Sequence, residues 1–201
     1  MTYTFDYLVY IGRFQPFHLA HMQTINIALQ QGRELIIALG SAQAERSIKN
    51  PFSASERKAM ILACYPEDLQ QRLHFVDIED VYNDVKWVNL LKKRVQDCIG
   101  ALSVQPCHSM LKVGLIGHFK DDSSYYLSLF PDWQLVELDS LRGAISATPL
   151  RRAYFQGKII EQEFPAATVS FLKQFKHSRY YQALQKKFQQ QDYSILLEHE
   201  L

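Results

Sequence analysis

The 201-residue chain lacks the features that mark several protein classes. Its three cysteines, Cys64, Cys98 and Cys107, are widely spaced and include no C-x-x-C pair. Small buried thiols in a reducing, cytoplasmic setting are expected in preference to a disulfide framework. A charge excess of either sign is missing too, because 22 basic and 21 acidic side chains leave a net charge of +1. Broad binding to nucleic acid or to a membrane surface is therefore not expected, and any anion site must be local. No apolar run reaches the about 18 residues of a membrane span, and no basic segment leads into one, so a soluble protein is expected. The phosphate loops G-x-x-x-x-G-K-[ST] and G-x-G-x-x-G are absent, as is a convincing pair of nucleophile and base.

What the chain does have is Gly12-Arg13-Phe14-Gln15-Pro16-Phe17-His18-Leu19-Ala20-His21, at the junction of an apolar strand and a helix. Gly12 permits a tight turn, and Pro16 stops the strand from continuing. His18 and His21 fall on one face of the first helical turn, with Cβ atoms roughly 5 to 6 Å apart. A helix N-terminus adds unpaired N–H groups and the positive end of a dipole, and Arg13 adds a permanent charge, so a phosphate is the ligand this combination suits. Capping or surface histidines are the plain alternative. Zinc is a third, but further ligands at suitable spacing are not in sight nearby.

Alternating elements organise the rest: strands at 5–11, 34–40, 72–78, 111–117 and 133–138, with helices at 18–31, 54–65, 85–98 and near 122–130, and another beginning near Pro149. Such alternation predicts a Rossmann-like α/β fold, a parallel sheet with helices on both faces. Ser53 and Glu56 form a capping-box pattern that starts the second helix. Residues 1–160 are assigned to one catalytic domain. Residues 161–201, with helical spacing over 164–189, are assigned to a C-terminal helical extension packed on it.

Four other stretches carry polar groups to strand ends or helix starts. In Ile145-Ser146-Ala147-Thr148-Pro149-Leu150-Arg151-Arg152, Thr148 suits an N-cap and Pro149 the first helical position, while Arg151 can bring its guanidinium back toward a phosphate. Gly40-Ser41-Ala42-Gln43 leaves the second strand, and Arg46 and Lys49 follow as either phosphate contacts or solvated loop charges. Asp80 and Trp87 flank the end of the third strand, a carboxylate for a ribose hydroxyl or an amide and an indole for a flat cationic ring, although such a tryptophan more often belongs to the core. Gly117-His118-Phe119-Lys120-Asp121-Asp122 follows the fourth strand, where glycine could admit a ring against the backbone.

Taken together these stretches resemble the nucleotidylyltransferase superfamily and, within it, nicotinamide-nucleotide adenylyltransferases of the archaeal type. The likeness covers about residues 5–185 of the 201, and it extends to the N-terminal half of bacterial proteins that fuse this enzyme to a Nudix hydrolase. It implies transfer of AMP from ATP to nicotinamide mononucleotide, giving NAD and pyrophosphate, with ATP and the mononucleotide as partners and Mg2+ carried on the ATP phosphates rather than in a protein metal site. His18, His21, Arg13 and Arg151 would be catalytic. Gly12, Phe14, Gly117, Ser146 and Thr148 would join them around ATP, and Gly40, Ser41, Lys49, Asp80 and Trp87 would hold the mononucleotide.

Two departures and one absence accompany the likeness. Ala20 stands where glycine usually precedes the second histidine, and Lys49 stands where archaeal members carry arginine, which keeps charge but loses bidentate contact. No Nudix signature occurs, so no hydrolase domain is expected. Sister acceptors such as nicotinate mononucleotide or phosphopantetheine, a sensing module that binds NAD or ATP without turnover, and an inactive interaction protein remain alternatives, and a homo-oligomer is left open.

Overall fold

The computed structural model describes residues 3–102, 111–118, 122–138 and 146–190. Its centre is a parallel sheet of β1 (Phe5–Gly12), β2 (Gly32–Leu39), β3 (Leu73–Asp77), β4 (Val113–Gly117) and β5 (Gln134–Glu137), in the order β3-β2-β1-β4-β5. The order reverses direction at β1, whose neighbours are β2 and β4. In open α/β sheets a reversal of this kind opens a ligand crevice beyond the strand carboxyl ends.

Alternation along β1 divides the core between two faces. Leu8 and Tyr10 turn toward α1 (Leu19–Gln31), α2 (Ala54–Leu62), α5 (Ala147–Phe155), α6 (Ala166–Phe175) and α7 (Arg179–Gln190). Tyr7, Val9 and Ile11 turn toward α4 (Asp84–Leu102) and the 3-10 segment Asp122–Leu129. Helices on both faces follow from this period-two pattern, as expected from the sequence. A short helix α3 (Glu67–Gln70) precedes β3 and was not legible, being a single turn. The helical spacing expected over 164–189 is divided, among the described residues, between α6 and α7. Their apolar residues Val169, Leu172, Phe175, Tyr181, Leu184 and Phe188 share one core with Phe14 and Leu35.

Several helix starts are shifted from their expected places. α1 begins at Leu19 with His18 as its N-cap. α2 starts as expected, with Ser53 Oγ accepting from Glu56 N at 3.2 Å and Glu56 Oε2 accepting from Ser53 N at 2.8 Å. It ends at Leu62 and gives way to turns. α5 starts earlier than the Thr148 cap implied, with Ser146 at the N-cap. Thr148 lies inside the first turn, where its hydroxyl accepts from Arg151 Nη2 at 3.1 Å instead of capping. The helix at 122–130 is a 3-10 segment. Residues 119–121, Ile145 and Cys107 lie outside the described residues.

Candidate active site

The loop after β1 is held in an uncommon backbone shape. Phe14 adopts φ 51° and Ser41, at the end of β2, adopts φ 50°, both in the left-handed region that side chains with a Cβ rarely occupy. Gly12, which the sequence offers for a tight turn, is not one of the left-handed residues. Its lack of a Cβ serves packing, since a Cβ there would lie 2.8 Å from the Phe14 ring.

Arg57 on α2 explains how both strained residues persist. It is fully buried, and its Nη1 donates to the carbonyls of Arg13 and Gly40, each at 2.8 Å. Longer contacts of 3.4 Å reach the Ser41 and Ser53 carbonyls. The carbonyls immediately before Phe14 and before Ser41 thus share one guanidinium nitrogen. Burial pulls the Arg57 pKa down, Asp77 and Asp80 act to raise it, and Arg13 acts to lower it. Sequence reasoning missed this residue. Its only signal was an arginine directly after the capping-box Glu56, a position that on a lone helix faces water.

Gln15 is the second missed residue. Fully buried, it donates from Nε2 to the Phe52 carbonyl at 2.8 Å and accepts from the Phe52 N–H at 3.0 Å, in the manner of a strand pairing. Its own carbonyl accepts from Arg151 Nη1 at 2.9 Å. Arg151 is therefore buried beneath the first loop, bonded to Gln15 and Thr148, rather than solvated. This contact brings the first turns of α5 against the loop that leads into α1.

The two histidines stack, with ring centroids 3.7 Å apart and planes 25° apart. His18 is buried. The His21 ring is edge-on to Phe14 at 4.8 Å and stacked with Phe17 at 5.9 Å. Its Nδ1 accepts a long bond of 3.4 Å from the His18 N–H. That role places the proton of a neutral His21 on Nε2. Two imidazolium rings at such a distance would repel by about 4 kcal/mol at an effective dielectric constant near 20. A neutral His21 with Nε2–H as donor, beside a helix N-terminus, suits a phosphate without requiring that double charge.

Around this centre, Ser41 Oγ donates to Asp80 Oδ1 at 2.9 Å and so joins two of the residues expected at the mononucleotide. Gly40 N donates to the Gly12 carbonyl at 2.9 Å, closing β1 against β2 at their ends. Arg13 and Lys49 are exposed. Trp87 is half-buried and packs edge-to-face on Tyr126 at 6.0 Å and Phe130 at 5.9 Å, so one side of its indole lies against the second core. The space a Cβ on Gly117 would need lies 3.0 Å from the Leu127 side chain, which accounts for that glycine without a ligand. The next residue, His118, bridges the crevice: Nε2 lies 3.2 Å from Thr24 Oγ1 on α1, and Nδ1 lies 3.2 Å from the Leu138 carbonyl. A groove of about 720 Å³ opens from Ala42 and Gln43 past Lys58 and Asp77 toward Arg94 and Cys98, away from the histidine pair. Among the described residues, no three His, Cys, Asp or Glu side chains stand together to hold a metal ion, and no helix is long and apolar enough to cross a membrane.

A parallel sheet with its crevice at β1/β4, and a histidine pair on the helix that rises from it, define a doubly wound α/β protein built to take a nucleotide. The chain belongs to the cytidylyltransferase-like family, whose sequence profile matches residues 9–181. It is 60% identical over 195 residues to the nicotinamide/nicotinic acid mononucleotide adenylyltransferase of Acinetobacter baylyi, covering 97% of this chain and 100% of that relative. A nicotinamide-nucleotide adenylyltransferase of Thermococcus onnurineus is 26% identical over 171 residues, covering 84% of this chain and 82% of the relative. Among solved structures, a bifunctional NMN adenylyltransferase/ADP ribose pyrophosphatase from Francisella tularensis, complexed with AMP and a manganese ion, superposes with a TM-score of 0.78 at 32% identity. That match covers 90% of this chain and 52% of the other, so the chain spans about half the length of the bifunctional protein.

Proposed function

We infer that this chain is a mononucleotide adenylyltransferase of NAD biosynthesis, joining the AMP part of ATP to nicotinamide mononucleotide with release of pyrophosphate. The stacked His18–His21 pair at the N-terminus of α1, where the sheet order reverses, carries this reading. The near full-length likeness to the Acinetobacter baylyi enzyme supports it.

A 5'-phosphate oxygen of the mononucleotide is already ionised near neutral pH, so it can attack the α-phosphorus of ATP without a strong general base. The new P–O bond forms as the bond to pyrophosphate breaks, and the electron pair leaves with pyrophosphate. The work left to the protein is alignment and stabilisation of charge. His21, with Nε2–H as donor, and His18 meet the α-phosphoryl oxygens. The α1 N-terminus adds its dipole, and exposed Arg13 reaches the outer phosphates. Arg151 acts from beneath, holding the Gln15 carbonyl so that the loop carrying both histidines keeps its shape. Gly12 and Phe14 lie on the ATP side, with Ser146 and Thr148 at the start of α5, while Gly117 serves the packing of Leu127.

Gly40, Ser41, Asp80 and Lys49 face the mononucleotide, with Trp87 at its ring end. A divalent cation, Mg2+ in our reading, would neutralise phosphate charge, held by the ATP phosphates and water. Nicotinate mononucleotide is a second acceptor to consider, because the Acinetobacter baylyi relative is named for both. The purified chain mixed with ATP, Mg2+ and nicotinamide mononucleotide should form NAD and pyrophosphate in equal amounts. Absence of the corresponding dinucleotide, NAD from nicotinamide mononucleotide and its acid analogue from nicotinate mononucleotide, would sink the reading.

A further inference from the structure

We propose that Arg46 is a positioning residue through which the C-terminal helices hold the 41–50 loop against the mononucleotide. The inference rests on the function proposed above. Sequence reasoning offered Arg46 as a phosphate contact, and the structure gives it another task. Its guanidinium forks onto Glu56, with Nη1 to Oε2 at 2.7 Å and Nη2 to Oε1 at 2.9 Å. Nη1 also donates to the Pro51 carbonyl at 2.7 Å. The guanidinium carbon lies 4.2 Å from the Tyr180 ring centroid on α7 and 5.7 Å from that of Phe175 on α6. A planar, five-donor group is the side chain that can serve a carboxylate fork and an aromatic face together.

The two ends of this loop are anchored separately. Ser41 is tied to Asp80 and lies over Arg57. Pro51 leads into Phe52, whose backbone is paired with Gln15 and whose ring packs on Phe171 at 5.6 Å and Phe175 at 5.0 Å. Between these anchors the backbone closes on itself, from Ala44 N to the Ser41 carbonyl at 3.3 Å and from Ser47 N to the Asn50 carbonyl at 3.2 Å. Arg46 ties the middle of the segment to α2 and, through Tyr180, to α7. Burial disfavours the Glu56 carboxylate, but the Arg46 guanidinium and the Ser53 N–H hold its pKa below the ordinary value, in keeping with a charged fork. The C-terminal helices thus reach the 41–50 loop through Arg46.

The test is steady-state kinetics of the full chain. Arg46→Ala should raise KM for the mononucleotide about tenfold, with kcat and KM for ATP changed by less than about threefold, because the histidine loop keeps its own anchors. Arg46→Lys should not restore the wild-type KM, since lysine lacks both the fork and the flat face. Tyr180→Ala, at an exposed position, should raise the same KM about three- to fivefold, the range of an exposed cation–π contact. The double variant should be no worse than Arg46→Ala alone.

A mononucleotide KM within twofold of wild type in Arg46→Ala, no effect of Tyr180→Ala, or losses that multiply in the double variant would overturn the proposal. So would an equal loss in every kinetic constant, which marks general destabilisation. Should the wild type itself prove inactive, the function fails and the positioning claim is judged by hydrogen exchange. Residues 42–50 must then exchange faster in both single variants while α1 does not, and unchanged exchange would overturn it.

Discussion

Replacing Arg57 by methionine keeps the apolar stem and deletes a guanidinium that meets four carbonyls. The two contacts at 2.8 Å, to Arg13 and Gly40, carry the weight. A bond from a charged donor contributes about 1.5 to 3 kcal/mol, whereas the pair at 3.4 Å adds little. Loss of the donor also leaves buried carbonyls unmatched beside two left-handed residues. Relief of the desolvation that pulls the Arg57 pKa down offsets part of this. A net loss of about 3 to 5 kcal/mol is expected, the range seen when one partner is stripped from a buried charged contact. For a chain of this length that lowers Tm by roughly 6 to 20 °C. Urea unfolding followed by circular dichroism, with an unchanged m-value, measures it. Arg57→Lys should fall between the two, keeping charge without the fork. A loss under about 1 kcal/mol in Arg57→Met would refute the argument that Arg57 holds both loops.

Other substitutions probe the site directly. His21→Ala should reduce turnover by about 10² to 10³ with mononucleotide binding little changed, and near-normal turnover would remove His21 from the chemistry. Arg151→Ala should raise KM for ATP, reduce turnover and lower stability by about 1 to 3 kcal/mol, since the Gln15 carbonyl loses its donor; ATP kinetics and unfolding both at wild-type values would contradict the contact as read. Trp87→Ala should weaken the mononucleotide more than ATP, by a cation–π share of about 0.5 to 2 kcal/mol, and Asp80→Asn should move preference toward nicotinate mononucleotide; an Asp80→Asn preference that stays put would withdraw Asp80 from amide discrimination. Glu56 has a lowered pKa in the folded chain, so its contribution is present above the ordinary carboxylate pKa and is lost as pH falls through the folded value. Wild type should therefore exceed Glu56→Gln in stability at neutral pH, and the gap should close in acid. A gap that persists or widens there would show that the carboxylate charge is not its source.

Legibility followed the range of the interaction. β1 and α1 were readable because the Tyr7–Ile11 run and the Gly12–His21 stretch encode strand, turn and helix start locally, and Ser53 with Glu56 encoded the start of α2 in the same way. Thr148 was misread as a cap because its hydroxyl turned to Arg151, a partner inside the same helix that propensity does not rank. Gln15, Arg57 and Arg46 were out of reach for a different reason. Their partners Phe52, Arg13, Gly40 and Tyr180 are distant in sequence, and only the closed fold brings a buried amide or guanidinium to those carbonyls and that ring. Trp87 shows the reverse, an aromatic whose neighbours Tyr126 and Phe130 could not be foreseen from the 80–87 stretch.

The central claim is attack on the α-phosphorus of ATP, and the fate of a label reads it most directly. With ATP labelled at the α-phosphorus, nicotinamide mononucleotide and Mg2+, the label should pass into NAD, while label at the γ-phosphorus should appear in pyrophosphate. Loss of both transfers in His18→Ala and His21→Ala would tie the chemistry to the stacked pair. Release of γ-label as orthophosphate, or α-label that never reaches a dinucleotide, would contradict the account.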